Sequence, residues 1–186
     1  MSVSATGKAP GQLPVAGRYR VDPERTTVRL STRHLFGLGG VTGTVRLREA
    51  EIAVGEPVTA TTVRAVLDAT SFDTGSARRD ADVRSARFLD SATHPDITFA
   101  CQGISQQNAK WVAAGTVTAH GVAAPVDLVL ERLDDNGGEL SLRATARVDR
   151  YAHQVTAAKG MAAQWLTVEI DAVACQARSG STEASW

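Results

Sequence analysis

The stretch VTAHGVAAPVDLVL, residues 117–130, contains two strand-like runs separated by a turn. Apolar and polar residues alternate before the His120-Gly121 pair, and a second strand-like run follows it, which is typical of antiparallel strands with one buried face. Gly121 provides the conformational freedom that a tight turn requires, and Pro125 precedes the main part of the second run. The stretch therefore predicts a β-hairpin, and we interpret His120 as a residue of its turn rather than as a catalytic group.

The same period of two extends over most of the chain. It recurs in TVRLSTRH (27–34), TVRLRE (44–49), TVRAVLDA (62–69), DITFAC (96–101), WVAAGTVTA (111–119), VDLVLER (126–132), ELSLRATARV (139–148) and LTVEIDAVA (166–174). Turn-forming segments such as DDNGG (134–138) separate the runs. The pattern predicts an all-β fold with eight or nine antiparallel strands.

One long segment, residues 71–96, lacks this alternation and is predicted to be the only substantial non-strand excursion. Apolar residues at Ala81, Val83 and Phe88 fit one or two helical turns, with Thr74 or Ser76 as the N-cap. We expect Phe72, Phe88 and Leu89 to provide apolar contacts that close a barrel or the entrance for a ligand. The charged residues of the segment fit either a solvated helix face, which we favour, or a site for a polar head group: Arg78, Arg79, Asp80, Asp82, Arg84 and Arg87.

Small residues on the predicted inner face favour a barrel over a sandwich, because a close-packed sandwich core would need larger side chains there. They are Ala113, Gly115, Val117, Ala119, Ala144, Ala146, Ala172 and Ala174. An antiparallel barrel of about eight strands could enclose one elongated ligand. The alternative is a packed structural module, in which Trp111, Trp165 and the phenylalanines fill the interior.

The composition indicates one domain and excludes some partners. The chain has 186 residues, 43% of them hydrophobic, and its 20 basic and 20 acidic residues balance without forming blocks. We therefore expect no nucleic-acid partner and no stable membrane insertion. The first residues lack the apolar core of a secretory signal, which favours the cytoplasm. We predict a flexible leader over 1–15, a barrel domain over 16–176 and a flexible tail over 177–186.

The reactive side chains give little support to catalysis or metal binding. Cys101 and Cys175 fall on opposite faces of their strands, so we expect two free thiols. No two of the four histidines have the close spacing of metal ligands, and no G-x-S-x-G phrase is present. We predict no catalytic residue, no metal and no enzyme. The alternative is an enzyme or stress-response factor in which His34 acts with Asp149 or His153 on an amphiphilic substrate.

Three phrases together resemble the YceI-like family: YRVDPERTTVRLSTRHLFGLGGVTGTV, TSFDTGSARRDADVRSARFLDSATHPDITF and VTAHGVAAPVDLVL. The resemblance covers about residues 17–175. It implies an extended lipocalin-like antiparallel β-barrel that binds polyisoprenoids or other long amphiphilic molecules in its lumen, and it suggests a homodimer. The family phrase Asp-Arg-X-Asp-Phe-Gly appears here as DRYAHQV, residues 149–155, so that Asp149 and Arg150 are kept and the following residues differ.

The resemblance and the strand parity together predict a non-enzymatic protein that binds, stores or transports a polyisoprenoid, an isoprenoid quinone or a fatty-acid-like lipid, with no other cofactor. For His34, a structural role and a contact with the ligand's polar end are equally favoured. Enlarging Ala144 or Gly115 is expected to block the lumen and preserve the fold. The predicted ligand-binding residues are Val28, Leu30, His34, Phe36, Val45, Leu47, Phe72, Phe88, Leu89, Ile97, Phe99, Trp111, Gly115, Leu128, Leu142, Ala144, Leu166 and Val168.

Overall fold

The computed structural model describes residues 14–33, 40–159 and 162–177. Within these ranges the chain forms ten β-strands, one α-helix and one short 3-10 helix. The strands are β1 (Gly17–Val21), β2 (Thr27–Arg33), β3 (Gly40–Val54), β4 (Thr62–Asp73), β5 (Asp96–Cys101), β6 (Ser105–Gln107), β7 (Lys110–Ala119), β8 (Val122–Asp135), β9 (Glu139–Asp149) and β10 (Trp165–Gln176). The α-helix, α1, spans Ala77–Arg84, and the 3-10 helix spans Val58–Ala60.

The strands form one closed antiparallel barrel with eight positions. Both β1 and β2 pair with β10 on one side and β3 on the other, so they are two parts of one interrupted barrel strand. In the same way, β5 and β6 both pair with β7. The remaining strands follow in chain order, and pairing of β9 with β10 closes the barrel. The predicted all-β barrel of about eight strands is confirmed.

The register places the predicted apolar faces inside the barrel. Leu128 lies opposite Ala146, which lies opposite Val168. Val168 in turn pairs with Leu30, and Leu30 pairs with Gly43. Because directly opposed residues share one face of a sheet, these five residues form an inward-facing arc across five strands. The period of two in the sequence therefore separates the interior from the exterior.

The interior is packed at one end. Tyr19, Leu140 and Ala174 have exposed fractions of 0%, 1% and 0%, and they belong to a cluster that also contains Leu133 and Val54. The Tyr19 hydroxyl donates a hydrogen bond to the Val15 carbonyl at 2.8 Å. Burial raises the pKa of Tyr19, with a smaller contribution from the charge of Asp135. Fully buried side chains therefore form a core cluster in this part of the barrel.

The predicted helix is present in the excursion between β4 and β5. Ser76 is the N-cap residue, as one of the two expectations had it, but its side chain makes no capping hydrogen bond. The Asp80 carboxylate reaches back instead and accepts hydrogen bonds from the Thr74 N–H at 2.9 Å and the Thr74 hydroxyl at 2.6 Å. This contact fixes the entry of the chain into α1.

The expectation that residues 71–96 form the only substantial excursion is wrong. Between β9 and β10, the described residues 150–159 and 162–164 form a series of turns and one isolated bridge, Lys159 with Ala162. Period-two patterning could not predict this segment, because its order depends on hydrogen bonds from one buried arginine, described below. With α1 and the turn between β7 and β8, it lies at one end of the barrel, which we call the helix end.

Several other expectations concern the termini and the cysteines. Cys101 is buried, Cys175 is exposed, and both are free, as predicted. Most of the predicted leader and tail lies outside the described residues, so their flexibility stays a prediction. In the described part of the chain, no helix has the length and apolar character needed to span a membrane.

Candidate functional site

A cavity of about 560 Å³ occupies the barrel interior. Its wall is built mainly from the inward apolar residues of the barrel strands. Val58 and Ile104 line it towards the end opposite the helix, whereas Phe72, Phe88 and Leu89 line it at the helix end. The cavity therefore extends along the barrel and offers an elongated apolar space, as a chain-like ligand requires.

Most of the predicted ligand-binding residues line this cavity. They are Val28, Leu30, Val45, Leu47, Phe72, Phe88, Leu89, Ile97, Phe99, Trp111, Leu128, Leu142, Ala144, Leu166 and Val168. His34 and Phe36 lie outside the described residues, so their roles stay predictions. The lining places these side chains together in one space, and their role in ligand binding stays a prediction.

Gly115 does not line the cavity, because the Phe99 ring lies on it. A Cβ atom at Gly115 would be 2.5 Å from Phe99 Cε2 and 2.6 Å from the Ala100 carbonyl oxygen. Real Cβ atoms do not approach other atoms so closely, and the carbonyl belongs to the backbone of β5. This contact argues against the expectation that Gly115→Leu leaves the fold undisturbed, and we expect the substitution to destabilise the barrel. The inward parity of Gly115 was correctly predicted, but the ring that fills its space was not visible in the alternation.

The segment after β4 covers one side of the cavity at the helix end. Arg84 donates hydrogen bonds from Nε and Nη2 to the Phe72 carbonyl at 3.2 and 3.0 Å, which ties α1 to the end of β4. Phe88 and Leu89 follow α1 and line the cavity beside Phe72. These apolar side chains therefore line the cavity at the helix end, and their closing of the entrance for a ligand stays a prediction.

Charged side chains of the same segment mostly pair with one another or with the backbone. Arg87 forms an exposed ion pair with Asp82 at 3.4 Å, and Arg79 donates from Nε to the Thr74 hydroxyl at 2.7 Å. Arg79 and Asp82 also border the cavity. The mixture of charges agrees with a solvated helix face, the favoured alternative.

Arg150 organises the other side of the helix end. Its side chain is buried, with 6% exposed, and its guanidinium donates to four backbone carbonyls. Nε donates to Ala163 at 2.8 Å, Nη1 to Val155 at 2.6 Å and to Ala157 at 2.8 Å, and Nη2 to Ala162 at 3.1 Å. These hydrogen bonds offset the cost of burying the charge and hold the loop in place.

The loop around Arg150 contributes lining residues that strand parity missed. Arg150, His153, Val155, Ala162 and Ala163 all line the cavity. The signal that could have found them is the Asp149-Arg150 pair, which matches the family phrase at the end of a predicted strand. The residues after this pair have no alternation from which an inward face could be predicted.

Three histidines lie at the helix end. His120 and His94 have ring centroids 5.8 Å apart in an edge-to-face arrangement, and His120 Nδ1 is 3.4 Å from the His153 carbonyl oxygen. The His153 ring is buried, with Nδ1 2.9 Å from the Val122 carbonyl oxygen. Among the described residues, no group of three or more His, Cys, Asp or Glu side chains is arranged to hold a metal ion.

The Asp149 side chain is bound within its own loop rather than to a histidine. Its carboxylate accepts hydrogen bonds from the Tyr151 N–H at 2.9 Å and from the Gln164 amide at 2.8 Å. His153 bonds to Val122 instead. Asp149 therefore has a structural role in this geometry. The acid–base alternative pairs His34 with Asp149 or with His153, and His34 lies outside the described residues, so that alternative is not tested here.

The model of the YceI-like domain matches residues 19–174, which is most of the chain and nearly all of the barrel. The chain belongs to the YceI-like family. Protein YceI of Escherichia coli O157:H7 is 32% identical over 117 residues, and the alignment covers 61% of this chain and 61% of that protein. The chain thus spans about three fifths of the length of this curated relative. Protein YceI of Salmonella arizonae is 28% identical over 158 residues, which cover 81% and 82% of the two chains.

Two solved structures have a similar fold. BcnA of Burkholderia cenocepacia superposes with a TM-score of 0.73 at 19% identity, over 82% of this chain and 98% of BcnA. A polyisoprenoid-binding domain from Saccharophagus degradans, implicated in plant cell wall breakdown, superposes with a TM-score of 0.63 at 12% identity. That superposition covers 88% of this chain and all of the domain. At these identities the similarity shows the lipocalin-like barrel fold.

Proposed function

We propose that this YceI-like protein binds a long apolar or amphiphilic molecule in its barrel and stores or transports it without chemical change. The observation that carries the proposal is the cavity of about 560 Å³, whose wall combines apolar residues from all around the barrel. A fully packed structural module would not leave this space. A polyisoprenoid, an isoprenoid quinone and a fatty-acid-like lipid all have the elongated apolar shape that the cavity suits.

The small side chains of β9 and β10 make room for the ligand. Ala144, Ala146 and Ala172 line the cavity, although larger side chains could occupy these positions in a packed core. Burial of apolar ligand surface contributes roughly 25 cal/mol for each Å² removed from water, before the costs of association are subtracted. We therefore infer that affinity depends mainly on the length of the apolar chain.

The polyisoprenoid-binding domain of Saccharophagus degradans supports a polyisoprenoid as the ligand class. This neighbour shares the fold and not a close sequence, so the support concerns the class of molecule and not a particular compound. If the retained molecule is a quinone or a fatty-acid-like lipid, the experiment below will identify it.

The test is to identify the molecule that the protein retains during purification. Organic extraction and native mass spectrometry of the freshly purified full chain should reveal a long-chain lipid at about one molecule per barrel. Calorimetric titration of delipidated protein with isoprenols of increasing length should give affinities that rise with length. An empty barrel that also fails to bind isoprenols, quinones and fatty acids would overturn the proposal.

Two further properties stay predictions from the sequence. A homodimer is expected by resemblance to the family, and analytical sedimentation over a wide concentration range tests it. A cytoplasmic location is expected from the composition of the N-terminal residues, and fractionation of cells that express the full-length gene tests it.

A further inference from the structure

The contact with Val122 determines which nitrogen of a neutral His153 ring carries the proton. Nδ1 lies 2.9 Å from the Val122 carbonyl oxygen, and a carbonyl oxygen can only accept a hydrogen bond. Nδ1 must therefore carry the proton that is donated. In the neutral imidazole, the second nitrogen, Nε2, then has no proton and can only accept.

Nε2 of His153 is a buried acceptor without a partner. The side chain is 2% exposed, and Nε2 forms no hydrogen bond in the described part of the protein. His153 also lines the cavity, beside Val155 and Arg150. A buried polar atom is normally hydrogen-bonded, and this acceptor belongs to a residue of the cavity wall. A donor on a molecule in the cavity, reached by a small movement of the ring, would supply the missing partner.

The neighbouring Arg150 guanidinium is already hydrogen-bonded to the loop. All but one of the Arg150 guanidinium N–H groups donate to backbone carbonyls of residues 155–163. An anionic head group placed there would have to compete with these carbonyls and would face the lone pair of His153. The loop therefore presents His153 Nε2 as an acceptor for a neutral hydrogen-bond donor. It does not present a free Arg150 guanidinium for a phosphate group.

We propose that the His153 end of the cavity selects, among long apolar molecules, those with a hydrogen-bond donor such as a hydroxyl group at their polar end. The hydroxyl donates to His153 Nε2, while the apolar chain extends along the barrel. Isoprenoid alcohols and hydroquinones belong to this class, whereas ethers, oxidised quinones and phosphate esters do not fit it. This inference rests on the proposed function and adds the chemistry of the head group.

The experiment compares three probes with one isoprenoid chain: farnesol, farnesyl methyl ether and farnesyl phosphate. Calorimetric titration of the delipidated full chain should show that farnesol binds about tenfold more tightly than the ether, as expected for one additional buried hydrogen bond. The ether is the more apolar probe, so burial alone would favour it. A preference for the alcohol is therefore diagnostic of the acceptor, and the phosphate should bind more weakly than the alcohol.

The variant His153→Asn distinguishes the roles of the two ring nitrogens of His153. An asparagine amide can still donate to the Val122 carbonyl, but it has no acceptor at the position of Nε2. The variant should bind the ether as the wild type does and should lose the preference for farnesol. His153→Phe, which places the family's phenylalanine at this position, should behave in the same way. Thermal melting of both variants checks that the barrel remains folded.

The outcomes distinguish the inference from the function on which it rests. Equal affinity of the wild type for alcohol and ether, or tighter binding of the phosphate, overturns the inference even if neither variant folds. The same holds if a folded His153→Asn protein keeps the preference for farnesol. Failure of the wild type to bind the alcohol and the ether, together with an empty purified barrel, overturns the proposed function itself.

Discussion

His120 and His153 each bind the backbone of the other's segment. The His120 ring contacts the His153 carbonyl at 3.4 Å, and the His153 ring contacts the carbonyl of Val122, two residues after His120, at 2.9 Å. His120 has φ +53° and Gly121 has φ +71°, which are the two positive angles of a type I′ hairpin turn. The histidine in the turn thus has two roles: it forms the hairpin, and it attaches the loop after β9 to that hairpin.

The two roles of His120 can be separated by substitution. His120→Gly keeps a residue suited to positive φ and removes the ring, so the hairpin should form while the loop loses one attachment. We expect amide hydrogen exchange of residues 152–155 to accelerate several-fold, with a loss of stability of about 1 kcal/mol. His120→Asn is the matched control, because asparagine tolerates positive φ and retains a donor near the ring position. Unchanged exchange in the glycine variant would contradict the attachment.

Any side chain at Gly115 is predicted to destabilise the barrel. Gly115→Ala would place Cβ 2.5 Å from the Phe99 ring and 2.6 Å from the Ala100 carbonyl oxygen, so β5 and β7 would have to move apart. Overpacking of this kind costs about 1–3 kcal/mol, which corresponds to a fall in melting temperature of roughly 2–4 °C for each kcal/mol. Thr116→Ala, on the exposed face of the same strand, is the control and should melt within a degree or so of the wild type. Equal melting temperatures for the two variants would contradict this packing.

The barrel could be predicted because each wall strand has one face against the interior and one against solvent. Val28, Val45 and Leu142 follow this rule, and the alternation assigned each of them to the correct face. The small residues Ala144 and Ala146 also indicated space inside the barrel, which the cavity confirms. Wherever burial is decided by the pleat alone, the sequence pattern carries the information.

The loop after β9, the packing at Gly115 and the burial of His153 depend on contacts that the sequence periodicity does not predict. The Arg150 guanidinium holds the loop after β9 through the backbone carbonyls of Val155, Ala157, Ala162 and Ala163. Every residue type has a carbonyl, so no residue pattern marks these contacts. The Phe99 ring, from a neighbouring strand, occupies the space beside Gly115. Strand parity predicts which face a residue lies on, but not which neighbouring side chain packs against it. From the sequence, His153 has a role only in the catalytic alternative, because its burial arises from this same loop.

Asp80 is predicted to make the stability of the protein sensitive to acid. Hydrogen bonds from the Thr74 hydroxyl, and to a smaller extent from its N–H and the charge of Arg84, outweigh the effect of burial and lower the pKa of Asp80. An unfolded aspartate titrates near pH ~3.9, so this contribution is fully present above that pH and is lost as pH falls through the lower pKa of the folded state.

The substitution Asp80→Asn measures this contribution. The variant should melt below the wild type at pH 7, and the difference should shrink as the pH is lowered below about 4, where the wild-type carboxylate becomes protonated. Exposed Asp127→Asn serves as the control and should follow the wild-type profile. A gap between Asp80→Asn and the wild type that does not change between pH 7 and pH 3 would show that charge plays no part at this helix.

Ala144 is the position at which the cavity itself can be filled. It lies opposite Leu130 on β8 and Ile170 on β10, and all three residues line the cavity. A cavity of about 150 Å³ can already hold a benzene molecule, so the much larger space here should receive the ring of Ala144→Phe. We therefore expect a loss of stability of about 1 kcal/mol or less, the lower end for overpacking, together with loss of the retained lipid.

Arg143→Ala is the matched control on the outer face of the same strand. Arg143 forms a two-pronged ion pair with Asp171 at 2.8 and 2.9 Å, but both side chains are about half exposed, so its removal should cost at most about 1 kcal/mol. Lipid extracted from the purified variants and thermal melting should therefore separate the two: similar stability, with lipid present only in Arg143→Ala. A folded Ala144→Phe protein that retains its lipid would mean that the ligand does not occupy this part of the barrel. An unfolded one would mean that the space around Ala144 is already filled, and a packed interior would then explain the small residues better than a bound ligand.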